Sequence, residues 1–189
     1  MKPFDFVFGL ISVITSLALT HLVAGIVALI RNGANVTFSW RHAAWTWVAF
    51  ALVVGNWASF WQLHTIETWP FHRIMIGLAF MISFYAFCAL VIPEVVRGQP
   101  LNLGEFHEHE GRRYIIAHII FAGLAMIQLA LPTTSFMGWL LAARFALLAS
   151  LLSFVALFTR RVWLQAVAAI SLAVLSTYVM VSLTSVVAS

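Results

Sequence analysis

Charged side chains are scarce in this chain: 8% of its residues, with ten Lys and Arg together against six Asp and Glu. That shortage excludes a soluble domain. With 63% of 189 residues hydrophobic, the exposed apolar patches would far exceed what a water-facing monomer carries. Cysteine is almost absent too. Cys88 stands alone inside an apolar run, so no intramolecular disulfide exists. Lys2 is the only lysine, which excludes a retinal Schiff base within the bundle. Several motifs are also missing: there is no glycine-rich phosphate loop, no Gly-x-Ser-x-Gly elbow and no His-Glu-x-x-His. These absences lean against an enzyme. The basic balance, a formal net charge of +4, would suggest nucleic acid in a soluble protein. Here the cations sit at the ends of apolar runs, and no nucleic-acid partner is expected.

What remains is a succession of long hydrophobic segments. Against the ~20 residues needed to cross a bilayer, the runs predict six spans, at about 5–31, 41–64, 71–96, 113–131, 136–159 and 162–186. All should be helices, because a chain in hydrocarbon must satisfy its own backbone and no run alternates like a barrel strand. The expected fold class is therefore an all-α integral membrane protein, a single bundle of six transmembrane helices with short loops. The first run begins near Met1, exceeds the length of a leader's apolar region and lacks a cleavage site, so it reads as a retained span. No organelle signal is evident, which points to a bacterial-type plasma (inner) membrane. The lipid bilayer is the main partner, and the broad apolar faces leave room for a homo-oligomer.

The longest polar interval, residues 97–112, separates three spans from three and reads as a loop. Its side of the membrane carries Arg31, Arg41, Arg97, Arg112, Arg113, Arg160 and Arg161, while the side holding the termini carries Lys2 and Arg73. The positive-inside rule then makes the 97–112 loop cytoplasmic and both termini extracytoplasmic. Tryptophans suit the same frame, with Trp40, Trp45 and Trp163 near the inner ends and Trp61, Trp69 and Trp139 near the outer ones.

Candidate functional positions are few. Within the loop, Glu105, His107 and His109 offer ligands dense enough for a divalent metal, through i,i+4 spacing on a helix or one side of an extended segment. In the spans, His21 and His118 lie at depths about 8 Å apart and would meet if their helices packed together. With His64 and His72 at the outer turn, they make two histidine pairs at two depths, which is what haem ligation across a membrane requires. Small residues recur at helical spacing as Gly9, Ser12, Ser16 and Thr20, as Gly138, Ala142, Ala146 and Ser150, and as Ala169, Ala173 and Thr177. Such stripes serve close helix packing, or, for the hydroxyls of Ser12, Ser16 and Thr20, a narrow wet path. Asn56 and Arg144 are polar groups deep in spans, and Asp5 is the carboxylate placed to meet Arg144 from the same side.

These positions lead to permeation of an ion or small solute as the first functional expectation. The alternatives are a haem- or metal-dependent redox enzyme using the histidines, and a non-catalytic membrane subunit presenting residues 97–113 to a partner. Reporter fusions test the topology on which the depths rest: a C-terminal alkaline phosphatase should be active and a C-terminal fluorescent protein dark. The reverse pattern would invert the assignment.

Overall fold

The computed structural model describes residues 3–61 and 69–187; Lys2, His64, Glu67 and the end of the 41–64 span lie outside them. Six helices, each long and apolar enough to cross a membrane, account for nearly all of it. They are α1 Pro3–Arg31, α2 Trp40–Trp61, α3 Phe71–Val91, α4 Leu103–Ala130, α5 Phe136–Phe158 and α6 Val162–Val187. The expected all-α six-helix membrane bundle is what the chain forms.

Two boundaries differ from expectation, each for a local reason. α3 stops at Val91 rather than near 96, because Ile92 precedes Pro93 and adopts an extended backbone, φ −95° and ψ 122°. α4 begins at Leu103, so most of the presumed loop is helix. Asn102 caps it: the Asn102 side chain accepts from the Gly104 and Glu105 amides and donates to the Glu105 carboxylate.

α2 packs mainly on α6, α3 on α4, α4 on α5 and α5 on α6, while α1 leans on α3 and more lightly on α2. Lipid gives no hydrophobic drive to join helices, so shape and small residues set these contacts. α2 and α6 close on small side chains, with Gly55 against the Met180 backbone and Ala168 and Ala169 buried. α3 and α4 join through an aromatic seam in which Phe121 stacks on Phe80 at 4.8 Å and tilts against Phe84 at 5.3 Å. α1 presents Val7, Ile11, Thr15, Ala18 and Leu22 to the core, a face one residue out of register with Ser12, Ser16 and Thr20.

The arginine-rich end is closed by a clasp between two loops. Val36–Thr37 (β1) and Leu101–Asn102 (β2) pair in parallel, Val36 opposite Leu101. Asn32, buried at the foot of α1, donates from its amide to the Gln99 carbonyl at 3.0 Å and accepts from the Gly98 amide at 3.1 Å. Gly98 has φ +81°, a backbone that favours glycine, and this turns the chain toward Asn32.

Gly25 is the tightest point of α1, since a methyl group there would overlap the branched Ile92 side chain. Gly25→Ala should therefore destabilise the protein by about 1–3 kcal/mol through overpacking. Thermal unfolding in detergent measures it; unchanged stability with wild-type Ile92 would show that the contact is slack, and Ile92→Ala should rescue the variant.

Candidate functional site

At the arginine-rich end the helices bury a group of side chains with no equal elsewhere in the described bundle. α2 supplies Arg41, His42 and Trp45. α4 supplies His107, Tyr114 and His118, whose spacings of seven and four residues place them in one line on a helix. His42, Trp45, His107, Tyr114 and His118 are all buried.

The hydrogen bonds fix how each imidazole is held. His42 donates from Nε2 to the Val91 carbonyl at 2.9 Å, tying α2 to the frayed end of α3. His107 Nδ1 shares a hydrogen bond with the Tyr114 hydroxyl two turns along α4. Gly111 makes that pairing possible, because a Cβ there would sit 3.3 Å from His107 Nδ1 and 3.5 Å from the Tyr114 hydroxyl. Ser153 of α5 donates its one hydroxyl proton to the Ala149 carbonyl, so its oxygen accepts from His118 Nδ1 at 2.9 Å. The Nε2 lone pair of the neutral ring is then the proton-accepting atom of His118. Trp45 lies edge-on to His118 and tilted to Tyr114, 5.6 Å from each, and Phe87 meets the His118 ring at 5.0 Å.

Arg41 closes the group toward the surface. Its guanidinium donates to Glu108 at 2.9 Å and to Gln165 at 3.0 Å, joining α2 to α4 and α6. The Gln165 amide donates in turn to the Thr159 carbonyl. Because the Arg41 side chain is only 13% exposed, this planar fork is a structural tie rather than a loose surface pair.

Four buried polar atoms among the described residues find no hydrogen-bond partner within the protein: Trp45 Nε1, Ser150 Oγ, Asn56 Nδ2 and Gln128 Nε2. In hydrocarbon an unpaired donor is costly, so each marks a place where a water or a small polar ligand is favoured. Ser150 stands one turn beyond Ser153 on α5. Gln128 borders a void of about 10 Å³, the size of a single water.

The sequence-predicted positions fare differently. Glu105, His107 and His109 sit on a helix, which sends His107 into the core while Glu105 and His109 stay exposed. Among the described residues no three His, Cys, Asp or Glu side chains converge as a metal site. His21 is exposed and edge-on to Tyr85 at 6.4 Å, while His118 is enclosed on the far side of α3, so the two do not meet. His72 is exposed. Ser16 and Thr20 face outward, Ser12 is half-buried, and the Ser16 hydroxyl donates to the Ser12 carbonyl. Arg144 is exposed; it donates to the Leu141 carbonyl at 2.8 Å and lies 4.6 Å over the Phe145 ring, both on its own helix. Asp5 is exposed, and Asn56 is buried. Trp45, expected at the interface, is a core residue.

His42, Tyr114 and Ser153 were not singled out from the sequence, and Arg41 and Trp45 entered only as a topology charge and an interface marker. The regular spacing of His107, Tyr114 and His118 was a signal for Tyr114, visible once α4 is known to start at Leu103. Comparison with protein-family models, with curated proteins and with solved structures gives no match.

Ser153→Ala should remove the acceptor of His118 Nδ1 and destabilise the protein by about 1–3 kcal/mol, whereas Ser16→Ala should stay within about 0.5 kcal/mol. Unfolding in detergent compares them. Equal effects would mean that His118 has another partner.

Proposed function

We propose that this polytopic membrane protein permeates protons, taking them up at the arginine-rich end through the buried histidine line. The supporting observation is the succession on α4 of the His107–Tyr114 hydrogen bond followed one turn deeper by His118 bonded to Ser153, with the unpaired Trp45 donor beside it. Buried ionisable groups in a membrane are costly, and proton relays are one of the functions they mark. His107 exchanges a proton with the surface beside Glu108 and hands it through the Tyr114 hydroxyl. His118 receives it at Nε2 across a bridging water, which the Trp45 N–H would orient. Beyond His118 the unpaired Ser150, Asn56 and Gln128 atoms lie farther toward the terminal side, on α5, α2 and α4, and each favours a water beside it. Arginine at the mouth repels hydrated cations while leaving proton hopping open. On the charge rule, the mouth is cytoplasmic.

A second reading rests on the first turns of α4. Glu105, Glu108, His109, Arg112 and Arg113 are exposed there in a compact polar face, as a subunit docking a partner would need.

Liposomes loaded with a pH-sensitive dye and driven by a potassium diffusion potential discriminate the readings. Wild-type protein should dissipate the imposed gradient. His118→Leu should slow it by at least ~10²-fold, the scale of a lost positioned proton carrier. Arg144→Leu should leave flux intact, as expected of an interface anchor. Absence of wild-type flux would reject proton permeation and leave the docking reading, while full flux in His118→Leu would reject the histidine line as the route.

A further inference from the structure

A concavity lies away from the histidines, at the foot of α1. It is a groove of about 510 Å³ with Ala24 and Val27 of α1 and Val95 of the following loop as apolar walls, and Arg31 and Arg97 at its rim. We infer that this groove binds one anionic phospholipid, with Arg31 and Arg97 on the headgroup phosphate and an acyl chain along Ala24 and Val27.

Three observations carry the assignment. The charges are available: Arg41 is paired with Glu108 and Arg113 with Glu110, but neither Arg31 nor Arg97 has an ion-pair partner among the described residues. No acidic residue lines the groove. The rim is also built rather than incidental. Arg97 belongs to the loop whose next two residues are hydrogen-bonded by the buried Asn32, so it is held against the end of α1 and beside Arg31. Finally, the geometry is amphiphilic. Arg31 ends α1 where a headgroup would lie, and Ala24 stands about 10 Å deeper by helical rise, at acyl depth. A free phosphate would use only the rim; a lipid uses rim and walls together. Clustered cations at a membrane surface attract anionic lipids, and a pocket between loop and helix converts that attraction into a site.

Native mass spectrometry of the detergent-solubilised full chain, titrated with phosphatidylglycerol or with phosphatidylcholine, tests this. Wild-type protein should retain one phosphatidylglycerol more tightly than any phosphatidylcholine. The double variant Arg31→Gln/Arg97→Gln should bind it roughly 30-fold more weakly, from two lost surface arginines. Arg160→Gln/Arg161→Gln, at the same end but outside the groove, should behave as wild type. Asn32→Ala should weaken binding while both arginines remain, because Arg97 loses its tether. Equal retention by the Arg31/Arg97 double variant would overturn the site, as would an equal loss in the Arg160/Arg161 control. Displacement of the lipid by millimolar inorganic phosphate would overturn the lipid assignment in favour of a free-anion site. Thermal unfolding of the Arg31/Arg97 variant, expected to match wild type in lipid-free detergent, distinguishes lost binding from lost fold.

Discussion

Hydrocarbon offers a polar atom no partner, and the organisation of this bundle follows from that deprivation. The six helices answer it for the backbone. Hydroxyl side chains answer it by bonding back to their own helix: Thr15, Ser16, Thr46, Ser83, Thr177 and Ser182 each donate to a carbonyl three or four residues earlier. A hydroxyl already spent in this way can face lipid. That is why Ser16 turns outward without penalty, and why a stripe of serines and threonines is poor evidence for a water path. Some groups that cannot satisfy themselves, among them the imidazoles of His42, His107 and His118 and the indole of Trp45, are instead drawn inward to one another.

That inward group also explains how the arginine-rich end is held. Van der Waals contact joins α2 to α6 and α3 to α4, but such contact allows sliding. Arg41 bonded to both Glu108 and Gln165, and His42 bonded to Val91, prescribe one register for α2 against α4, α6 and α3. Polar bonds therefore specify here, while packing supplies most of the adhesion. The terminal half of the bundle holds fewer such ties. Its interior is the aromatic seam and the isolated amides of Asn56 and Gln128.

Span count, helix class and the short turns were legible from the chain because bilayer thickness is a coarse ruler that long apolar runs satisfy. The site was legible only in part, for reasons of phase. A helix turns each residue by 100°, so Glu105, His107 and His109 look clustered in sequence, yet His107 is turned into the core away from the other two once Asn102 starts the helix. His118 was singled out, yet as a partner of His21, because depth can be read from sequence while neighbourhood cannot. α3 intervenes between them. Arg144 illustrates the opposite limit: its cost in the membrane drew attention, and a carbonyl and a ring on its own helix account for it.

The clasp between the first and third loops carries a consequence for how the protein is made. Asn32 and Gln99 are 67 residues apart, and between them lie α2 and α3 in full. The bond cannot form until that hairpin has left the ribosome and entered the membrane. Before then the foot of α1 is open and its asparagine unsatisfied. Closure joins the two loops noncovalently and turns the three-helix half into a ring, against which α4 can begin at Asn102, itself part of the clasp. The start of the second half is in this way held beside the end of α1, at a seam that forms only after the first three helices are in place.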